Sequence, residues 1–261
     1  MSRQGFFSSI LSVIRERYEE SLLQDVKKDP LPKHIAVIMD GNRRFARELK
    51  ISSDRGHFLG KEKLEEFLDW CFDVGIKIVT VYAFSTENFK RDSSEIEYLM
   101  DLYADSFKDL LNDERVTKNR IKVRLIGKTE LLPEKVRDAA KKVEEFTKDF
   151  DRYLLNVAIA YGGREEIIDA IKNISIEVKE GKIEPDSINE QLIEKYLYTG
   201  DIEDPDLVIR TSGEERISNF LLWQSAYSEL YFTDVYWPEI TKLDLLKAVR
   251  DYQKRKRRYG K

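Results

Sequence analysis

The sequence predicts a single α/β domain in which a mostly parallel central sheet of about six strands carries helices on both faces. Short apolar runs rich in β-branched residues alternate with longer segments of helical periodicity, and no repeat or Gly/Ser linker divides the chain. Such alternation is typical of parallel sheets that are covered on both faces. Ligands of these sheets bind beyond the carboxyl ends of the strands, so we expect the functional residues directly after the strands.

The composition limits the possible classes of function. The chain has 261 residues, of which 36% are charged, and its formal net charge is −4. This near-neutral balance argues against a nucleic-acid partner, which requires a strongly basic face. Cys71 is the only cysteine, so the chain can form neither an internal disulfide nor a cysteine-based zinc site. No apolar run approaches the roughly 20 residues that span a bilayer, and no signal-peptide cleavage site follows the N-terminus. We therefore expect a cytoplasmic protein.

Residues 1–32 are predicted to form an amphipathic helix and a linker that precede the main domain at 33–261. Apolar residues recur at mostly helical spacing between 6 and 23, and Pro30 and Pro32 end the helix. Such a helix could pack on its own domain or on a dimer partner. Alternatively, its apolar stripe could lie in the surface of a membrane. The sequence leaves both interpretations open.

Periodicity places the remaining elements. Strands are predicted at 35–39, 78–84, 121–126, 154–160, 207–210 and 229–232. Helices are predicted at 61–73, 94–112, 133–148, 164–180 and 187–197, and from 242 into the basic C-terminus. A Ser-Ser-Glu cap signal opens the helix at 94–112. This helix carries more apolar residues than a single stripe needs, so part of it could line a hydrophobic tunnel.

The first strand leads into a loop whose composition suits a metal-bridged phosphate. The loop reads Asp40-Gly41-Asn42-Arg43-Arg44-Phe45. Its glycine permits a tight turn, its carboxylate can hold a divalent cation, and its two guanidiniums can bind non-bridging oxygens. The alternative is an ordinary strand-to-helix turn in which Asp40 caps the helix and the arginines are solvated.

Further anion-binding residue types follow the second strand. Residues 85–91 offer hydroxyls, an amide and cations at a strand end, where parallel sheets often hold phosphates, although Ser and Thr also cap helices. Between these two loops lies His57, preceded by Arg55 and Gly56. A lone histidine could equally be a structural group.

The strand at 207–210 leads into a second candidate anion cradle. Arg210 and Arg216 lie six residues apart, and Ser218 follows two residues later. Arg210 ends an apolar strand, where an unpaired charge would be costly, so we expect it to have an anionic partner. A charged surface loop is the alternative. Two arginine-rich sites beside one carboxylate, without a Walker lysine loop or a G-x-G-x-x-G motif, together indicate two diphosphates.

Five segments, in order, carry a family resemblance: 34–46, 56–60, 82–89, 206–224 and 229–233. With them the chain resembles the cis-prenyltransferases, which include undecaprenyl and dehydrodolichyl diphosphate synthases. The resemblance runs from about residue 33 to the C-terminus. The arginine pair at 43–44 and the N-terminal extension are more similar to the archaeal and eukaryotic branch than to the bacterial one.

The resemblance implies an enzyme that condenses isopentenyl diphosphate units in cis onto an allylic prenyl diphosphate. The primer would be farnesyl or geranylgeranyl diphosphate, the product a long-chain polyprenyl diphosphate that is a lipid carrier precursor, and the cofactor Mg²⁺. It also implies a homodimer, a hydrophobic tunnel and a peripheral membrane contact for product release. The alternative is a non-catalytic partner subunit. Such subunits lack the metal aspartate and much of the diphosphate set, whereas this chain keeps Asp40, Arg44, Asn88, Arg210 and Arg216.

The resemblance further implies roles for individual residues. Asp40 would be catalytic and bind Mg²⁺, and Asn88 would act at the reacting centre by orienting the substrate or relaying through water, since an amide is barely basic. Glu229 would be a second metal residue. The implied allylic diphosphate site comprises Gly41, Asn42, Arg43, Arg44, Phe45, His57, Ser85, Thr86, Glu87, Phe89 and Arg91. The implied isopentenyl diphosphate site comprises Arg210, Arg216, Ile217, Ser218, Arg258 and Gly260, the last two from a C-terminal Arg-x-Gly that reaches the site of the other subunit.

Three features depart from the family pattern. Ser53 stands where many members have an arginine, and Arg55 is the candidate substitute. Phe45 and Phe89 replace tryptophans of bacterial members, which keeps aromatic packing. Glu215 stands where some members have histidine, and no role is assigned to it.

Overall fold

The structure is a computed structural model that describes residues 3–255, with side chains described for Ile14 and from residue 16 onwards. Its six strands are β1 (His34–Ile38), β2 (Ile78–Ser85), β3 (Ile121–Ile126), β4 (Tyr153–Tyr161), β5 (Leu207–Arg210) and β6 (Glu229–Phe232). Its α-helices are α1 (Arg3–Val26), α2 (Asn42–Glu48), α3 (Ser53–Val74), α4 (Ser93–Asn112), α5 (Glu114–Lys118), α6 (Glu134–Thr147), α7 (Gly163–Lys179), α8 (Glu190–Tyr196) and α9 (Lys242–Lys254).

The strands form one sheet in the order β3-β4-β2-β1-β5-β6, and every neighbouring pair is parallel. The predicted fold class is therefore confirmed. The central strand β1 lies between β2 and β5, and Ile38 at its end is level with Tyr82 on one side and with Arg210 on the other. The carboxyl ends of these three strands consequently lie next to one another on one side of the sheet. Open α/β sheets bind their ligands at such a position, beyond the carboxyl ends of neighbouring strands.

Alternating residues of β1 enter two separate cores. Ile35 and Val37 belong to the larger core, which contains buried residues of α3, α4, α6 and α9. Ala36 belongs to the smaller core on the other face, where Tyr82 stacks on Phe220 with ring centroids 4.5 Å apart. Complete burial of β1 explains why its sequence is a continuous apolar run rather than an alternating one.

The predicted strands and long helices are present, but the start of α3 differs from the prediction by eight residues, and two short helices were not predicted. Helices α2 and α5 have seven and five residues, too few to show periodicity in the sequence. Helix α3 begins at 53 rather than 61, with Ser52 as its N-cap accepting a hydrogen bond from the Arg55 amide. The predicted Ser-Ser-Glu cap is wrong, because α4 begins at the first of these serines and Asp92 is the N-cap residue.

Helix α1 lies against α9 at its C-terminal end. Val26 is fully buried, and Gln253 Nε2 donates a hydrogen bond to the carbonyl oxygen of Val26 at 2.7 Å. Further back, Ile14 and Tyr18 are exposed. Over its whole length α1 is less amphipathic than the pattern over 6–23 predicts. Among residues 3–255, no helix is long and apolar enough to cross a bilayer. The division at residue 32 stays a prediction.

Candidate active site

The loop after β1 carries a carboxylate, that of Asp40, which two arginines contact. Arg210, at the end of β5, places Nη2 2.9 Å from Asp40 Oδ2, and Arg44 of α2 places Nη2 3.2 Å from the same oxygen. Arg210 is only 4% exposed, so this ion pair supplies the anionic partner that its buried position demands. Burial raises the pKa of Asp40, but the hydrogen bond and charge of Arg210 and the charge of Arg44 outweigh it, and the net shift is downward. Asp40 is therefore ionised at neutral pH.

Glycines allow the elements around this carboxylate to approach closely. Gly41 has φ +108°, and a Cβ built there would lie 2.7 Å from the ring of Tyr236. A Cβ at Gly56 of α3 would lie 2.6 Å from the carbonyl oxygen of Asn42, so α3 can lie against the start of α2 only without side chains at this point. Asn42, the first residue of α2, thus packs against α3, and its side-chain oxygen Oδ1 is buried without a hydrogen-bond donor among the described residues.

Glu95, in the first turn of α4, gathers three of the predicted site residues. His57 Nε2 and Arg91 Nη1 each lie 3.0 Å from Glu95 Oε1, and Arg43 Nη1 lies 3.5 Å from Oε2. Burial lowers the pKa of His57, and the hydrogen bond and charge of Glu95 offset only part of this effect. Sequence analysis missed Glu95 because the Ser-Ser-Glu pattern was interpreted as a helix cap.

The segment after β2 forms a 3₁₀ turn from Thr86 to Lys90. Asn88 accepts a hydrogen bond from the Ser85 amide through Oδ1 at 3.1 Å, so its carbonyl oxygen is already used to close the turn. Glu87 accepts from Asn219 Nδ2 at 3.2 Å, which ties this turn to the loop after β5. Thr86 is near the surface, and Phe89 packs edge-on against a core phenylalanine rather than facing the cavity described below.

The loop after β5 uses two of its predicted residues to hold Arg210. Arg210 Nη1 donates to Ser218 Oγ at 2.7 Å and to the carbonyl oxygen of Arg216. Ser218 adopts a left-handed backbone conformation with φ 48°, which turns the chain towards Arg210. The guanidinium of Arg216 itself is mostly exposed and pairs with Glu214. Ile217 packs against the smaller core.

The elements enclose an apolar cavity of about 670 Å³ between the sheet and helices α3 and α4. Asp40, Asn42, Asn88 and Arg210 line its polar end, beside the carboxyl ends of β1, β2 and β5, and Lys61, Glu65, Asp109 and Asp113 also line the cavity. Its walls are mainly apolar and include Leu64, Leu68, Leu99, Leu102, Tyr103, Phe107, Leu110, Leu155, Val157, Ile159 and Trp237. The helix at 94–112 thus lines the cavity with five of its apolar residues, as the excess of such residues indicated. This arrangement can hold a long hydrocarbon with a charged head group.

A second pocket of about 270 Å³ adjoins the polar end of the cavity. Its lining includes five arginines: Arg43, Arg44, Arg47, Arg91 and Arg216. Met39, Asp40, Asn42, His57 and Arg91 line both spaces, so the cationic pocket and the apolar cavity are contiguous. Sequence analysis did not select Arg47, which lies one helical turn after Arg43. Clustered guanidiniums of this kind suit diphosphate oxygens.

Several predicted site residues lie elsewhere. Glu229 opens β6 at the level of Leu207, about 10 Å along the strand from Arg210, and it accepts a hydrogen bond from Arg255 at 3.0 Å. It does not adjoin Asp40 within the chain. Phe45 is half-buried on α2 and lines neither space, and Arg55 is exposed and packs over the ring of Phe58. Arg258 and Gly260 lie outside the described residues.

Comparison with known proteins agrees with this geometry. A sequence profile of the family described as "Putative undecaprenyl diphosphate synthase" matches residues 38–260. The chain is 58% identical over 244 residues to a geranylgeranyl-diphosphate-specific tritrans,polycis-undecaprenyl-diphosphate synthase of Thermoplasma acidophilum, covering 94% of this chain and 95% of that protein. It is 54% identical over 251 residues to the protein of the same name from Methanopyrus kandleri, covering 96% and 93%.

Solved structures show the same architecture. Lavandulyl diphosphate synthase of Lavandula x intermedia, crystallised with dimethylallyl diphosphate, superposes with a TM-score of 0.85 at 36% identity, covering 88% of this chain and 99% of that one. A probable undecaprenyl diphosphate synthase of Campylobacter jejuni gives a TM-score of 0.72 at 35% identity, covering 89% and 100%. Because the sequence relatives are synthases matched over nearly their full length, the chain is an enzyme and not a non-catalytic partner subunit. It belongs to the undecaprenyl diphosphate synthase family of cis-prenyltransferases.

Proposed function

We propose that this cis-prenyltransferase, which adds isopentenyl diphosphate in cis to an allylic primer, starts from geranylgeranyl diphosphate and makes undecaprenyl diphosphate. The names of its archaeal relatives support this choice of primer and product. The observation that carries the proposal is the contiguity of the cationic pocket with the apolar cavity. A prenyl diphosphate has the same division into a charged head and a hydrocarbon tail.

The residues at the polar end fit a bound Mg²⁺. Both arginines that contact Asp40 do so through Oδ2, and Oδ1 takes part in neither contact. Mg²⁺ is commonly bound by one or two carboxylates together with substrate phosphates, so a single ionised aspartate beside a diphosphate pocket is a sufficient protein contribution. When bound, the ion would stabilise the negative charge that develops on the departing pyrophosphate.

The chain's own residues would position both substrates. Arg43, Arg91 and His57, held together by Glu95, would bind the allylic diphosphate and stabilise its charge as the carbon–oxygen bond breaks. Isopentenyl diphosphate would bind beside Arg216, with its double bond facing the allylic carbon. Attack of that double bond forms the new carbon–carbon bond, and loss of a proton forms the new cis double bond. Asn88, whose carbonyl oxygen closes the turn, would orient the reactants rather than accept the proton.

Two further parts of the proposal concern assembly. Ile168 and Ile171 are exposed on α7, about half of each side chain facing outward, and could be covered in a homodimer. A partner subunit could also supply the C-terminal Arg258 and Gly260.

Ile14 and Tyr18 of α1 are likewise exposed and could contact a membrane when the lipid product leaves. Analytical ultracentrifugation and vesicle co-sedimentation test these two points separately.

Primer preference tests the proposed function directly. Geranyl, farnesyl and geranylgeranyl diphosphate are each incubated with isopentenyl diphosphate, Mg²⁺ and the purified enzyme, and the products are identified by mass spectrometry. We expect the highest kcat/KM with geranylgeranyl diphosphate and a dominant undecaprenyl product. A clear preference for farnesyl diphosphate would contradict the proposed primer, and a dominant product of another length would contradict the proposed product.

A further inference from the structure

Glu214 lies between arginines that belong to the two proposed diphosphate sites. Its Oε1 accepts a hydrogen bond from Arg44 Nη1 at 3.1 Å, and its Oε2 accepts one from Arg216. Arg44 also contacts Ser212 and Asp40, so most of its guanidinium is engaged by the protein. A carboxylate bound by two guanidiniums makes the same contacts that a phosphate group would make with them.

We propose that Glu214 acts as an internal substitute for a substrate diphosphate: it neutralises Arg44 and Arg216 in the empty site and is displaced when substrate binds. The inference rests on the proposed assignment of these arginines to diphosphate binding. It makes Glu214 a determinant of substrate affinity through competition.

The relative strength of the two interactions decides the outcome of this competition. Glu214 is 31% exposed, Arg44 37% and Arg216 61%, so the ion pairs between them are partly solvated. Solvated ion pairs contribute little, because water and salt screen them. A diphosphate carries more negative charge than a carboxylate and offers several oxygens to each guanidinium. The substrate diphosphate therefore displaces Glu214 from the arginines, but its affinity is lower than it would be if the arginines had no carboxylate partner.

The loop permits displacement without a change of fold. The amide of Ser212 donates to the Val235 carbonyl and that of Gly213 donates to the Thr233 carbonyl, both at 2.8 Å, which fixes the backbone just before Glu214. The side chain of Glu214 can consequently leave the arginines by rotation about its own bonds. Its neighbour Glu215 is exposed and forms no ion pair within the described part of the chain, which makes it a matched control.

A different role would have the opposite effect. If Glu214 served to orient Arg216 towards the substrate, then removing the carboxylate would loosen that arginine and weaken binding. If it acted only through its negative charge, then an aspartate at this position would behave as the glutamate does. Aspartate keeps the charge but is one methylene shorter, so it cannot make both contacts from the same backbone position.

Calorimetric titration separates these roles. Isopentenyl diphosphate, and separately inorganic pyrophosphate, is titrated with Mg²⁺ into the full-length enzyme without primer, so that no turnover occurs. We expect Glu214→Gln and Glu214→Asp to lower the Kd by about twofold to fivefold, because release of a solvated ion pair contributes at most about 1 kcal/mol. Glu215→Gln should leave the Kd unchanged. The proposal would be overturned if Glu214→Gln left the Kd unchanged or raised it. It would also be overturned if Glu214→Gln lowered the Kd and Glu214→Asp did not.

An arginine variant distinguishes failure of this inference from failure of the proposed site. Arg216→Met should raise the Kd for isopentenyl diphosphate. If it does so while both Glu214 variants bind as the wild type does, only the competition is refuted. If Arg216→Met leaves the Kd unchanged, then the assignment of this arginine to isopentenyl diphosphate is wrong, and the competition at Glu214 is refuted with it.

Discussion

Arg210 and Asp40 join the ends of β5 and β1 through an ion pair with 2.9 Å between Nη2 and Oδ2. The arginine is nearly inaccessible, whereas the carboxylate faces the polar end of the cavity. Ser218 Oγ and the carbonyl oxygen of Arg216 accept hydrogen bonds from Nη1 of the same guanidinium, whereas its buried Nε has no partner among the described residues. Arg210 therefore fixes the position of the proposed metal-binding carboxylate relative to the loop that is proposed to bind isopentenyl diphosphate.

Replacement of this arginine should destabilise the fold. Arg210→Met removes one of the two arginines that contact Asp40 and leaves two loop acceptors without their donor. We expect the free energy of unfolding to fall by about 2–4 kcal/mol, somewhat less than for a fully buried pair because Asp40 is partly exposed and keeps its contact with Arg44. Denaturant unfolding measures this change. Arg216→Met, which removes an exposed partner, should cost less than about 1 kcal/mol. Equal losses in the two variants would refute the anchoring role of Arg210.

Glu95 should affect the allylic substrate more than isopentenyl diphosphate. Glu95→Gln removes the charge that holds His57, Arg91 and Arg43 together, so these groups become less well ordered for binding. We expect the KM for the allylic primer to rise by about threefold to tenfold, from the loss of charge-assisted hydrogen bonds. Steady-state kinetics with each substrate varied in turn tests this. Glu97→Gln, an exposed change on the same helix, serves as control. Equal increases in both KM values would count against this role.

His34 should make stability depend on pH. Its Nδ1 lies 2.7 Å from the Glu203 carbonyl oxygen, and its Nε2 lies 2.8 Å from Thr80 Oγ1, which itself accepts from Asn156. These partners fit a neutral ring with its proton on Nδ1. Burial lowers the pKa of His34 to about 4, although the hydrogen bond to Glu203 offsets part of the effect.

The direction of the pH effect follows from this shift. The unfolded chain takes up a proton near pH 6.5, whereas folded His34 does so only near pH 4. The stabilisation is therefore complete above pH 6.5 and declines as the pH falls towards 4, by about 3 kcal/mol in total. Denaturant unfolding at several pH values measures it. His34→Asn should lose most of this dependence while keeping a donor towards Glu203, and an unchanged pH slope would show that His34 is not its source.

The strands were predicted well because each is either a continuous apolar run or rich in β-branched residues. The position of the site was predictable because ligands of parallel sheets bind at the carboxyl ends of the strands. Short helices were missed, since α2 covers fewer than two turns of clear periodicity. Glu95 was missed because a helix start and a ligand-organising carboxylate share the same local pattern. The separation of Glu229 from Asp40 depends on strand register, which no motif encodes.

The most direct test of the account is the turnover of an enzyme that lacks the Asp40 carboxylate. Incorporation of radiolabelled isopentenyl diphosphate is measured for Asp40→Ala and for Asp138→Ala, an exposed aspartate on α6. Asp40→Ala should lower the melting temperature, because the buried Arg210 loses its anionic partner. At a temperature where the variant is fully folded, it should lose about 10²–10⁴-fold in kcat, because charge on the departing pyrophosphate is no longer stabilised. Asp138→Ala should match the wild type. Near-wild-type incorporation by Asp40→Ala would contradict the account.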